Sequence, residues 1–123
     1  MAMRLIRLFT GDDGQSHFTM GEIAWHKLAG PNAISGTEVA QSISFEETAA
    51  GSSFEWHNAP HRQYVLTLSG TLQFETRNGD KQVVERGDVL LAEDVTGGGH
   101  RFRQRLHSRT FTLVRLCSQS AHF

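Results

Sequence analysis

The chain has 123 residues, a length that fits one domain and lets roughly two-thirds of its unfolded surface be buried. Hydrophobic residues make up 38% of the chain, charged residues 20%, and the formal net charge is −1. These values exclude a disordered or strongly basic chain and give no support for a nucleic-acid partner. Apolar runs are only a few residues long, so we expect no membrane-spanning helix and no membrane partner.

The cysteine content and the N-terminal segment indicate the cellular compartment that we expect for the protein. Cys117 is the only cysteine, which excludes an intrachain disulfide and a zinc site built from several cysteines. The N-terminal segment carries Arg4 and Arg7 but no apolar core followed by a small-residue cleavage site, so we expect no export signal. Together these features predict a cytoplasmic protein.

The first third of the chain is predicted to form short strands between glycine-rich turns. Leu5–Phe9 is an apolar run that ends in a dense turn signal, and the segment 16–25 combines loop and strand with a break at Gly21. Thr37–Phe45 alternates apolar and polar residues, which predicts a half-buried strand. The length of the following segment, 46–51, favours a loop.

Strand signals come faster from Ser53 onward. Asn78-Gly79 stands between two alternating runs and is the strongest short-range signal for a hairpin. Gly97-Gly98-Gly99 predicts a flexible loop. Further strands are expected at 53–57, 63–69, 71–76, 81–85, 89–92, 100–106 and 110–116. No segment carries a helical apolar stripe, so eight to ten strands predict an all-β closed barrel or jelly roll in a single domain spanning residues 1–123.

Seven histidines are the reason to look for a site. His57, His61 and Gln63 share parity, so on an extended strand they would point to one face. Four strand residues span about 13 Å, however, which is too far for His57 and His61 to share one ion. Only a bend at Ala59-Pro60, where proline interrupts any strand, could bring the two imidazoles together.

Two acidic residues, Glu93 and Asp94, end a strand shortly before His100. Acid or base catalysis is one interpretation of this pair, and an exposed loop pair is the other; the pattern favours the exposed loop. His17 and His26 are expected to be surface or interface residues rather than metal ligands.

Spacing within residues 50–105 resembles the two motifs of the cupin family. In the first motif His57 matches the first histidine, Ala59 stands where the second is expected, and Gln63 replaces the glutamate seven residues before Gly70. In the second motif Gly87 matches the opening glycine, Glu93 replaces the proline, and His100 arrives two residues late. The chain is most similar to small single-domain cupins.

The resemblance implies a double-stranded β-helix of the jelly-roll type, a homodimer, and a site in the barrel mouth. It implies one divalent transition metal (Fe, Zn, Ni or Mn) held by His57, His61, Gln63 and His100. The altered ligands leave a second interpretation open, in which the barrel holds no metal and hydrogen bonds satisfy its polar interior.

The function implied by the resemblance is a small-molecule enzyme, with isomerase, cyclase or dioxygenase chemistry and His57, His61 and His100 as catalytic residues. The alternative is a metal-free barrel that binds or senses a small ligand without catalysis. In both cases the partner is a small molecule, and Trp56, Tyr64 and Phe102 are expected to line its pocket.

Overall fold

A computed structural model describes residues 3–104 and 109–116 of the chain. Cys117, His107 and His122 lie outside these residues. Among the residues described, no helix could cross a membrane. The strands are β1 Arg4–Thr10, β2 Ser16–Glu22, β3 Trp25–Ala29, β4 Asn32–Ser35, β5 Ala40–Thr48, β6 Ser53–His57, β7 Gln63–Ser69, β8 Leu72–Thr76, β9 Lys81–Val84, β10 Val89–Ala92, β11 His100–Gln104 and β12 Arg109–Leu116.

Strands β5 to β12 pair as one nested hairpin. β5 pairs with β12, β6 with β11, β7 with β10 and β8 with β9, all antiparallel. The rolled hairpin forms a six-stranded sheet in the order β2-β1-β10-β7-β12-β5 and a four-stranded sheet in the order β6-β11-β8-β9. Nested pairing of eight strands across two sheets defines a jelly roll, so the predicted all-β jelly-roll fold is confirmed.

The core lies between the two sheets and follows from strand alternation. In β8, Leu72, Phe74 and Thr76 are buried while the residues between them are partly exposed. Ile6 and Leu8 of β1 are fully buried and extend the core along the parallel pairing of β1 with β10. One hydrophobic cluster results, made of Ile6, Leu8, Val65, Leu72, Phe74, Val84 and Leu90.

Two glycine-containing turns behave differently from each other. The predicted hairpin at Asn78-Gly79 is confirmed, since β8 and β9 pair across it and Gly79 has φ of +92°. The loop 97–99, which was expected to be flexible, packs closely against two other segments. A Cβ on Gly97 would lie 2.2 Å from the carbonyl oxygen of Gly14, and one on Gly99 would lie 2.4 Å from that of His57. The three glycines form a close-packed junction.

Strand β5 departs from its predicted burial. The alternating pattern correctly predicted a strand, but it continues through Thr48, where a loop was favoured, and its apolar side chains are not half-buried. Ile43 is 61% exposed and Phe45 is 74% exposed. The strand lies at the edge of the six-stranded sheet, where no described element covers these side chains.

Candidate functional site

A cavity of about 590 Å³ lies between the two sheets and has mainly apolar walls. Phe74 and Phe102 form part of these walls, and Gln63, His57 and His100 contribute polar groups. Gln63 enters the cavity because strand alternation puts it on the same side of β7 as the buried Val65. We call this space the inner cavity.

His57 faces the inner cavity because β6 contains an irregularity. His100 is paired with His57 and Phe102 with Phe54, so two residues of β6, at 55 and 56, stand opposite the single residue 101 of β11. An extra residue in one strand shifts which side chains share a face. His57 therefore points to the side of Phe54, with ring centroids 4.2 Å apart, rather than to the side of Glu55.

The protonation pattern of His57 follows from its backbone contact. Its Nδ1 lies 2.7 Å from the carbonyl oxygen of Glu55. Because a carbonyl oxygen only accepts, Nδ1 carries the hydrogen and Nε2 is the basic nitrogen. Burial lowers the pKa of His57, and the nearby His100 lowers it further, against the opposing effects of the Glu55 carbonyl and Asp94. The neutral imidazole is thus favoured near neutral pH.

His100 is held by a buried carboxylate. Its Nδ1 lies 2.6 Å from Oδ2 of Asp94, and the same oxygen accepts a hydrogen bond of 2.7 Å from the Ser16 hydroxyl. Asp94 and Ser16 are 0% exposed and His100 is 4% exposed. A carboxylate that accepts from Nδ1–H fixes the tautomer, so Nε2 of His100 remains for a ligand.

Asp94 is the site residue that sequence reasoning underrated. The pattern favoured an exposed loop, but Asp94 is fully buried and its main-chain oxygen accepts a hydrogen bond from the backbone N–H of Ala59. The available signal was its position two residues after β10, whose four residues are all buried. Its partner Ser16 is 78 residues away in the chain, and no local pattern could have connected the two.

The two imidazoles act on one another. Their ring centroids are 4.5 Å apart, so a proton on one ring disfavours a proton on the other. Both side chains line the inner cavity with Nδ1 already engaged. The two rings therefore present two imidazole nitrogens to one cavity, where either can take up or release a proton on a bound molecule.

The structure does not bring His61 to this pair. His61 lines a second cavity, also of about 590 Å³, together with Arg7, Arg62 and Glu93. Pro60 borders both spaces, so the bend at Ala59-Pro60 separates His61 from His57 instead of joining them. We call this second space the outer cavity.

Charged groups in the outer cavity neutralise one another. Burial alone would raise the pKa of Glu93, but hydrogen bonds from Arg7 and Arg62 outweigh it and hold the pKa below its ordinary value. Arg62 also bonds Glu38, which accepts a hydrogen bond from the Tyr64 hydroxyl. Burial and that hydrogen bond raise the pKa of Tyr64 to about 12, so its hydroxyl stays protonated.

The three aromatic residues expected in the pocket are placed differently from one another. Phe102 lines the inner cavity. The ring of Trp56 instead contacts two guanidinium groups. Its centroid lies 4.2 Å from Cζ of Arg77 and 4.8 Å from Cζ of Arg101. Tyr64 follows Gln63 on β7 and so faces the opposite side of the sheet, toward Glu38. Strand alternation and the irregularity in β6 account for these placements.

The donor set does not fit a resident transition metal. Catalytic zinc sites use three protein ligands, and the described residues contain no group of three histidine, cysteine, aspartate or glutamate side chains arranged to hold an ion. In the inner cavity His57 and His100 supply two imidazoles, and Gln63 adds only a neutral amide. Two imidazoles and an amide are better suited to moving a proton than to holding a divalent cation.

Comparisons with solved structures give distant likenesses. A cupin domain from Bordetella pertussis is 17% identical, with 66% of this chain and 92% of that chain covered and a TM-score of 0.49. An RmlC-like cupin from Desulfovibrio desulfuricans is 16% identical over 64% and 76% of the two chains, with a TM-score of 0.45. A putative ethanolamine utilization protein Q from Salmonella typhimurium is 15% identical over 97% and 99%, with a TM-score of 0.49.

Two of these proteins are named cupins, the family that the sequence motifs resemble. No protein-family model and no curated protein matches the sequence. With TM-scores below 0.5, the likenesses add nothing to the fold assignment, which rests on the strand order of the two sheets.

Proposed function

We propose that the inner cavity binds a small, largely apolar molecule and that His57 and His100 catalyse proton transfer on it without a metal. The observation that supports this most is the buried Asp94–His100 pair beside a second imidazole whose basic nitrogen is also unengaged. Groups arranged in this way are the usual means of general acid and base catalysis.

The reaction class follows from two imidazoles that face one apolar cavity with Nδ1 already engaged. The Nε2 of one neutral imidazole accepts a proton from a carbon next to a carbonyl group, and the electrons of that C–H bond form an enol or enolate. The imidazolium formed in this transfer then returns the proton to a different atom of the substrate, which regenerates the neutral imidazole. No atom is gained or lost overall, so the proposal is an isomerase, or a cyclase that uses the same two steps.

The walls of the cavity restrict the substrate. Phe74, Phe102 and their aliphatic neighbours favour an apolar body. Glu46 and Glu47 lie at the cavity's exposed edge and disfavour an anionic substrate. We therefore propose a neutral or cationic carbonyl compound of small size.

Hydrogen exchange at carbon tests the proposal without knowledge of the natural substrate. Small apolar ketones and aldehydes would be incubated with the protein in D₂O, and proton NMR would follow deuterium incorporation next to the carbonyl. We expect at least one compound to exchange, with the rate reduced by about 10²-fold or more in His100→Ala and His57→Ala. His26→Ala, a change in the exposed hairpin strand β3, is the matched control.

Two outcomes would redirect the proposal. Compounds that perturb the imidazole NMR signals of His57 and His100 but never exchange would indicate a binding or sensory module instead of an enzyme. Plasma mass spectrometry on tag-free protein purified without chelator is expected to find little transition metal. A stoichiometric metal that His57→Ala and His100→Ala remove would overturn the metal-free chemistry.

A further inference from the structure

Gln63 brings a side-chain amide into the inner cavity. It opens the central strand β7, whose backbone pairs at this residue with Ala92 on one side and with Arg115 on the other. Residues paired across two strands point to the same face of a sheet, and both Gln63 and Ala92 line the inner cavity. Because Ala92 ends in a methyl group, it does not compete with the Gln63 amide for a polar atom of a ligand.

The amide of Gln63 is available to a ligand. Its side chain forms no hydrogen bond with any residue in the ranges 3–104 and 109–116 that the structure describes. The bend beside it offers no other donor, since the N–H of Ala59 is bonded to the main-chain oxygen of Asp94 and Pro60 has no N–H. An amide that a bound molecule separates from water costs free energy unless that molecule replaces its hydrogen bonds. A ligand that fills the cavity must therefore present a polar atom to Gln63.

The amide and the two imidazoles approach a ligand from opposite walls. β7 belongs to the six-stranded sheet, whereas His57 and His100 lie on β6 and β11 of the four-stranded sheet. With Nδ1 of each ring engaged, the neutral imidazoles present acceptor nitrogens to the cavity. Gln63 adds the complementary group, an NH₂ that donates. Among the described lining residues, hydroxyl groups occur only in the segment 48–53, next to the exposed edge of the cavity.

Removal of a proton next to a carbonyl group requires this arrangement. The C–H bond that breaks stands perpendicular to the plane of the carbonyl group, so that its electrons can enter the π system. The lone pairs of the oxygen lie in that plane, so a hydrogen-bond donor approaches from a different direction than the base. A donor placed where negative charge develops stabilises the transition state, whereas a carboxylate at position 63 would repel that charge.

We propose that the NH₂ group of Gln63 binds the carbonyl oxygen of the substrate and stabilises the enolate that forms when an imidazole removes the proton. This inference rests on the proposed function, since it assigns the oxygen of the same carbonyl compound. The amide loses no proton itself. The proton moves from the substrate to an imidazole and then to another atom of the substrate, while the hydrogen bond to the oxygen strengthens and weakens with the charge.

A ketone that cannot exchange separates carbonyl binding from catalysis. Phenyl tert-butyl ketone has no hydrogen on the carbons next to its carbonyl group, and isotopic labelling of the carbonyl carbon identifies its C=O stretch in difference infrared spectra. We expect a lower stretching frequency for the ketone bound to wild type than for the ketone bound to Gln63→Met, which has a similar length but no donor. Gln41→Met, the same change at an exposed glutamine of the outer cavity, is the matched control and should give the wild-type frequency.

The exchange assay in D₂O supplies the kinetic arm. For a ketone that exchanges, we expect Gln63→Met to lower kcat about 10²-fold with little change in KM, because the hydrogen bond is strongest in the transition state. Gln63→Asn, which keeps an amide, should retain part of the rate. The urea midpoint of Gln63→Met should not fall, because the amide has no hydrogen bond to the described residues to lose. A purely structural role would instead lower the midpoint and leave the stretching frequency unchanged.

The two arms distinguish failure of this inference from failure of the proposed function. Exchange that is equally fast in wild type and Gln63→Met would overturn the inference and leave the proposed function standing. A stretching frequency that depends on Gln63, without exchange of any ketone, would support Gln63 as the carbonyl-binding group and overturn the enzyme. Equal frequencies in wild type and Gln63→Met, or no binding of the ketone to wild type, would overturn the inference.

Discussion

Two cavities of about 590 Å³ each meet at Pro60, and they differ in what their polar groups leave free. In the inner cavity each histidine uses Nδ1 for a structural contact and keeps Nε2 for a ligand. In the outer cavity Arg7 and Arg62 each form an ion pair with Glu93. The outer cavity contains more charged groups, but these groups are less available to a ligand because they already form ion pairs with each other.

The largest expected effect comes from the close-packed glycine loop 97–99, which contacts the backbone of His57 at the inner cavity. Gly99→Ala forces a side chain into φ of +75° and puts its Cβ 2.4 Å from the His57 carbonyl oxygen. We expect the free energy of unfolding to fall by about 2–4 kcal/mol, measured by urea denaturation.

Gly87→Ala is the matched control for that change. Gly87 has φ of +89° but no atom within 4 Å of its added Cβ, so only the backbone strain of about 1–2 kcal/mol is expected. Equal losses in the two variants would contradict the close packing at Gly99.

The next effect concerns the carboxylate behind His100. Asp94→Asn replaces a carboxyl group that accepts two hydrogen bonds, from Ser16 and His100, with an amide that can turn a donor toward them. We expect a loss of about 1–3 kcal/mol in the free energy of unfolding and a mixed tautomer of His100 by nitrogen NMR. Ser16→Ala, which removes only the neutral donor, should cost about 1 kcal/mol and leave the tautomer unchanged.

A smaller effect is expected from pH. The pKa of His57 in the folded protein lies below its ordinary value of 6.5, so the unfolded chain binds more protons between the two values. Stability from this group is therefore present above pH 6.5 and is lost as pH falls through the lowered pKa of the folded state. Urea denaturation of wild type and His57→Gln from about pH 7 to about pH 5 separates the contribution of His57 from that of other titrating groups. Parallel pH profiles for the two proteins would argue against a lowered pKa.

The smallest effect is expected in the outer cavity. His61 is exposed, so His61→Ala should change the free energy of unfolding by less than about 0.5 kcal/mol. The imidazole NMR signals of His57 and His100 should stay in place. If the His100 signal moved in His61→Ala as far as it does in His57→Gln, the two cavities would be coupled.

Much of the fold could be predicted from alternation and turn chemistry. The Asn78-Gly79 hairpin and the strand content came from local signals, and local signals are enough to define strands. The site was predicted only in part. His57, Gln63 and His100 do meet, but the separation of His61 depends on the direction of the Ala59-Pro60 bend, which no residue pattern specifies.

What sequence reasoning missed has a common physical cause. The inward turn of His57 depends on a register irregularity between β6 and β11, the burial of Asp94 on a distant serine, and the packing of Gly97 on the turn at Gly14. Each is a contact between segments far apart in the chain. The apolar side of β5 was predicted to be half-buried, but an alternating pattern does not specify which element, if any, packs on that side.

The Ser16–Asp94 hydrogen bond ties the start of the chain to the site. Ser16 opens β2, an edge strand whose only described strand partner is β1, so β2 can detach more easily than the central strands. Detachment would admit water to a carboxylate that is otherwise sealed. Amide hydrogens of β2 and the Nδ1 hydrogen of His100 should then exchange with solvent at one common rate. The lifetime of a correctly oriented His100 would then be set by the detachment of an edge strand that does not line the inner cavity.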